Sequence, residues 1–124
     1  MQSNLFHYKA IITSVYDGDT CTVDIDLGFS VWVRGEKLRL LRINAPEVTG
    51  ASKVRGLKSK KFLESLIKGK LVTIETIKDK KEKYGRYLAE IWIEDKSGKR
   101  MNSPRRMNVN DLLVEKGYAE YKKY

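Results

Sequence analysis

The sequence predicts an α+β fold that is mainly β, with five strands, one helix between the third and fourth strands and a second helix near the C-terminus. Three observations carry this reading. Apolar and polar residues alternate with period two from Asp19 to Leu27, Asp17-Gly18 supplies a hairpin turn signal, and two later helical segments each end at a glycine. A chain of 124 residues is enough for one core and too short for two, so residues 1–124 are expected to form a single domain.

The elements follow in order. Residues 7–16 (HYKAIITSVY) are rich in β-branched and aromatic types and form the first strand. From Asp19, a carboxylate expected at the start of the second strand, Cys21, Val23, Ile25 and Leu27 alternate with Thr20, Thr22, Asp24 and Asp26, the pattern of a half-buried strand. A third strand is predicted over 31–43, with a bend or bulge at Arg34-Gly35. Residues 44–56, holding Pro46, Gly50 and Gly56, read as a long loop, a class often given to function. A helix is expected over 57–68, its apolar stripe Phe62, Leu63, Leu66 and Ile67 and its wet face Lys58, Lys60, Lys61 and Glu64, closed by Gly69. Strands at 71–78 and 86–94 flank a charged connection, DKKEKYG. A turn at Asp95–Gly98 and a basic loop with Ser103, Pro104, Arg105 and Arg106 lead to a last helix, capped by Asn108 and stopped at Gly117. Five strands with a helix between the third and fourth is the order of an OB-fold barrel, which commonly presents one face to oligonucleotides.

Composition narrows the chemistry. Lys and Arg total 25 against 16 Asp and Glu, a net charge of +9, which raises the local concentration of polyanions. Cys21 is the sole cysteine, so an internal disulfide and a cysteine-rich zinc site are excluded, and its place in the alternating stretch makes it a buried, inert thiol. A single histidine, His7, excludes two-histidine metal sites and, without a plausible serine partner, argues against a Ser-His triad. Catalysis, if present, must run on carboxylates and arginines.

Metal-assisted phosphodiester hydrolysis needs hard oxygen ligands, a base for water and fixed positive charge for the phosphorane. Asp19 follows a tight turn, where a carboxylate can face a groove. The run Leu38-Arg39-Leu40-Leu41-Arg42-Ile43-Asn44-Ala45-Pro46-Glu47 leads from a strand into the long loop; Arg39 shares a face with Leu41, opposite Leu38, Leu40 and Arg42. Pro46 fixes the backbone before Glu47, and Tyr84-Gly85-Arg86 sets a second arginine at a turn. Arginine forks suit phosphate better than lysine does. Each residue alone has a plainer reading: Asp19 as a turn former, Glu47 as a solvated carboxylate, the arginines as surface ion-pair partners. The stretch DIDLG at 24–28 lacks the further acidic positions of a calcium loop and is rejected as one. Trp32 and Trp92 are expected to fill the barrel or its rim.

The segments DGDT at 17–20, RLLRINAPE at 39–47 and EKYGRYLAEI at 82–91 resemble the staphylococcal nuclease (thermonuclease) family in content, order and spacing, a resemblance covering residues 8 to 120. The resemblance implies a calcium-dependent nuclease on an OB-fold, acting on DNA and RNA. It implies Asp19 as a calcium ligand, with Asn44 standing at a position usually held by a second carboxylate and Ala45 at one that offers a backbone carbonyl. An amide oxygen still coordinates calcium but brings less charge, so weaker binding is expected. It implies Glu47 as the carboxylate that activates water, Arg39 and Arg86 as the pair on the scissile phosphate, and Lys83 and Tyr84 as contacts to a terminal phosphate. The family usually adds a further C-terminal helix; Tyr118, Tyr121 and Tyr124 either cover that surface or stack on bases, and the sequence leaves the two roles open.

Three functions are weighed on these grounds. The first is a calcium-dependent nuclease of low sequence specificity with DNA or RNA as substrate. The second is a weakly active or inactive OB-fold module that holds single-stranded nucleic acid. The third is a protein-interaction domain using the barrel surface. The first ten residues lack a signal-peptide core and no run reaches membrane-spanning length, so a cytoplasmic monomer off the membrane is expected, or a secreted one where a leader has been removed.

Overall fold

The computed structural model describes residues 6–95 and 105–122. The alternating segments become β1 (His7–Asp17), β2 (Thr20–Gly28) and β3 (Val31–Leu40), a meander in which β2 pairs antiparallel with both neighbours. Strand β1 also pairs with β5 (Leu71–Lys81), which pairs with β6 (Tyr87–Asp95). A parallel ladder between β3 and β6, with Arg39 opposite Leu88, closes these five strands into a barrel. The expected mainly β OB-fold barrel is therefore present. Two short additions frame it: β7 (Arg105–Asn108) extends the sheet from β6, and β4 (Ile43–Asn44) pairs with β8 (Glu120–Tyr121).

Alternation becomes burial directly. Cys21, Val23 and Ile25 point into a core with Ala10, Ile12, Leu38, Leu40, Ile74 and Ile91. Cys21 is fully buried, and that burial pushes its thiol up to about 12, so the inert reading holds. Two bulges interrupt β1. Ile12 and Ser14 face Val23 and Thr22, and Val15 and Asp17 face Cys21 and Thr20, which leaves Thr13 and Tyr16 as inserted residues. The bend at Arg34-Gly35 is also present: Gly35 has φ +72, and Asp24 holds it by accepting from its backbone N–H at 2.9 Å and from Arg34 at 3.0 Å. The DIDLG carboxylates are thus occupied within the hairpin.

Several boundaries differ from the sequence reading. The third strand does not run to residue 43, because Arg42 adopts φ +73 and turns the chain out of the barrel. Such a conformation costs about 1–3 kcal/mol in a non-glycine residue. It is offset by two hydrogen bonds from the Arg42 guanidinium to Glu90, at 2.6 and 2.9 Å, and a contact to Asp111 at 3.0 Å. Helix α1 spans Lys53–Ile67, four residues earlier than expected, and follows a 3₁₀ turn at Gly50–Ser52. Ser52 is a residue type common at a helix start, but it makes no side-chain cap, and its hydroxyl donates to the Glu47 carbonyl. The loop predicted over 44–56 shrinks accordingly. Leu63 and Ile67 of the expected stripe are buried, while Phe62 and Leu66 pack partly buried against the core.

The charged connection shortens as well, since β5 continues to Lys81, where Lys81 bonds Glu36 across the barrel at 3.1 Å. Arg105 and Arg106 belong to β7 and not to a loop; Ser103, Pro104 and the turn beyond Asp95 lie outside the described residues. Helix α2 (Val109–Glu115) starts where expected, the Asn108 side chain accepting from the Asp111 N–H at 2.8 Å. Its buried Asn110 accepts from Ile91 N and donates to Leu41 and Ala89 carbonyls, tying helix to barrel. Both tryptophans sit half-buried outside the core, Trp32 beneath Arg34 and Trp92 beneath Arg106. Among the described residues no helix is long and apolar enough to cross a membrane.

Candidate functional site

The site is built around the turn that joins β1 to β2. Asp19 lies in that turn and not yet in the strand, which begins at Thr20. Gly18 is required there by close approach: a Cβ would stand 2.7 Å from the side chains of both Ala45 and Ser59. The loop after β4 and helix α1 therefore clamp the turn from either side. Asp19 is 7% exposed, and its carboxylate accepts from Thr20 Oγ1 at 3.1 Å and from the Ala45 N–H at 2.8 Å. Arg39 Nη2 stands 3.4 Å from its second oxygen. Asp17 accepts from the Asp19 N–H at 3.1 Å. Burial, and then the neighbouring Asp19, push the Asp17 carboxyl up to about 6.

The parallel ladder sets Arg39, within β3, beside the start of β6, which Arg86 immediately precedes. Arg39 leaves β3 with its guanidinium donating to the Leu40 and Ile43 carbonyls, at 2.7 and 2.9 Å, and to Asn44 Oδ1 at 2.6 Å. Arg86 precedes β6 and is gripped by Glu82 through two parallel bonds, at 3.1 and 3.0 Å. That pairing holds the Glu82 carboxyl down at about 2. An arginine carries five N–H donors; three of those on Arg86 remain for a ligand after Glu82 has taken two. Glu47 is exposed, and its backbone is pressed by α1: a Cβ on Gly56 would fall within 1.9 Å of the Glu47 carbonyl oxygen. Ser52 Oγ donates to that same oxygen at 3.2 Å.

Asp19, Arg39, Asn44, Ala45, Glu47, Tyr84 and Arg86 all line one open groove of about 910 Å³, toward the upper end of the roughly 300–1,000 Å³ usual for ligand sites. Seven of the eight residues singled out in the sequence are thus brought together. Lys83 is not among the lining residues; its ammonium lies 5.1 Å over the Tyr84 ring. The sequence reading missed Asp17, although it stands in the same DGDT segment, and Glu82, four residues before Arg86. It assigned Lys60 to a wet helix face and passed over Lys37, yet both line the groove. Tyr118 stacks on Phe62 at 4.4 Å and packs against the core, whereas Tyr121 is half exposed and donates to Asp111 of α2 at 2.9 Å; Tyr124 lies outside the described residues. Among the described residues no three or more His, Cys, Asp or Glu converge as a ready-made metal centre.

Comparison with known proteins bears on the family of the chain. Residues 37–124 match the family described as staphylococcal nuclease homologue. An uncharacterised protein of Methanocaldococcus jannaschii is 34% identical over 134 residues, covering 91% of this chain and 58% of its own length. The thermonucleases of Staphylococcus hyicus and Staphylococcus intermedius are 30% and 28% identical, covering 94% and 92% of this chain and 60% of each relative. The chain therefore spans about three-fifths of the length of the curated relatives it matches.

Proposed function

The chain belongs to the staphylococcal nuclease family, and on that premise we propose that it hydrolyses phosphodiester bonds of DNA or RNA, with little sequence preference and with calcium as cofactor. The observation that carries the reading is the convergence of a carboxylate turn, a free carboxylate and two arginines on one groove in a protein of charge +9.

Each residue has a role that its surroundings support. Glu47 is exposed at the groove, where it takes the proton of the attacking water. Arg86, with donors to spare, and Arg39 neutralise the charge that develops on the phosphoryl oxygens. Glu82 keeps the Arg86 fork oriented, which removes a rotational cost from phosphate binding. Tyr84, which lines the groove, and its neighbour Lys83, which does not, are given a terminal phosphate by the family resemblance. The donor set fits a hard cation, being all oxygen: Asp19 and its neighbour Asp17, the Asn44 amide and the Ala45 carbonyl would hold calcium. Bound there, calcium supplies Lewis-acid polarisation of the phosphate.

One observation favours a second reading, a nucleic-acid-binding module with weak or no turnover. Arg39 already occupies Asn44 Oδ1 at 2.6 Å and stands beside Asp19, so the ligands are partly neutralised from within. A calcium titration of DNA and RNA cleavage, with EDTA and Glu47→Gln as controls, separates the two. Cleavage that rises with calcium and is lost in both controls is the expected result. Salt-sensitive binding of oligonucleotides with no turnover at millimolar-scale calcium would establish the binding module instead.

A further inference from the structure

Tyr16 is exposed where an apolar ring gains nothing from the fold. It is 64% exposed, and among the described residues none bonds to it or stacks on it. Its placement is not an accident of strand alternation, because Tyr16 is the inserted residue of the β-bulge beside Asp17. Bulges of this kind re-aim a side chain, and they concentrate next to functional sites. Here the ring lines the same groove as Asp19, Arg39 and Arg86, one residue before the turn that carries the carboxylates. Lysines 37 and 60 line the groove too, which gives a polyanion backbone a path past the ring.

We propose that Tyr16 is a base-stacking platform: the nucleobase of a nucleotide held in the groove lies against the Tyr16 ring while its phosphates are held by the basic side chains. The proposal rests on the nucleic-acid reading of the groove. The chemistry matches, since every base has a π face, and an aromatic ring accepts any of them without reading sequence. The other exposed ring of the groove, Tyr84, is engaged by two cations, with Lys83 at 5.1 Å and Arg86 at 5.3 Å. Among the described residues no such cation lies over Tyr16, which is 64% exposed.

The test is binding of a short fluorescent DNA oligonucleotide in EDTA, with an abasic nucleotide moved along it one position at a time. In the unchanged protein one position is expected to weaken binding about 5- to 100-fold when its base is removed. Tyr16→Ala should weaken binding of the intact strand by a similar factor and abolish the dependence on that position, and Tyr16→Phe should restore both. Equal loss in the Phe and Ala variants would mean that the hydroxyl acts, through phosphate, and would overturn stacking. So would a positional profile unchanged in Tyr16→Ala. If the unchanged protein binds no oligonucleotide and cleaves none with calcium, the nucleic-acid reading itself fails and takes this one with it; cleavage that persists beside an unchanged profile condemns stacking alone.

Discussion

Burial in the turn, and then the Asp19 carboxylate beside it, make Asp17 resist ionisation. Its folded-state value of about 6 lies above its ordinary 3.8. The native state therefore binds this proton more tightly than the unfolded chain does, and stability falls as pH rises from about 4 to 6, then levels off. Asp17→Asn is expected to remove that slope and to stabilise the calcium-free protein at pH 7 by about 1 kcal/mol, less than full linkage because the groove is open to water. Denaturant titrations at pH 4 and pH 7 measure it; an unchanged slope in the variant would assign the effect to another group. The same electrostatics governs Asn44. A carboxylate there would compete for Arg39 but add charge to the donor set, so Asn44→Asp is expected to tighten calcium binding about tenfold by calorimetry. Unchanged affinity would show that residue 44 is not a ligand.

At the scale of elements, α1 acts on the site through its backbone. Gly56 lets the helix touch the Glu47 carbonyl, and Ser59, one turn later, closes on Gly18 while its hydroxyl bonds the Tyr118 carbonyl at 2.6 Å. Gly56→Ala would drive a methyl into the Glu47 peptide and must push the loop away. The expected result is a loss of about 1–3 kcal/mol in stability together with a fall in kcat, because the obstruction is backbone and cannot rotate aside. Thermal unfolding and steady-state cleavage read the two effects, and a fully stable, fully active variant would refute the clamp. Sequence patterns could not reveal this contact. Gly56 looks like a loop glycine when read along the chain, and the helix that absorbs it starts without a side-chain cap.

At the scale of the molecule, alternation made the barrel readable, since Cys21, Val23 and Ile25 announce an inward face and Asn108 announces α2. Arg39, Glu47 and Arg86 were readable because motif spacing carries them. What escaped notice depends on partners distant in sequence. Arg42 leaves β3 because Glu90 and Asp111 hold it, and the strand continues through Lys81 because Glu36 lies across from it. Lys60 looks like solvated helix surface until the turn at Asp19 is folded beside it.

The parallel ladder between β3 and β6 has a consequence for the birth of the molecule. Hairpins such as β1–β2 and β5–β6 join neighbours in sequence and can form early, whereas β3 and β6 are separated by a helix and a whole strand. Closing that long loop costs the most chain entropy and yields contacts last. Arg39 lies in this seam and Arg86 just before it, so a nascent or half-folded chain carries the two halves of the proposed phosphate grip on separate pieces. The proposed hydrolytic power is thus latent throughout synthesis and comes into being only at the moment of closure.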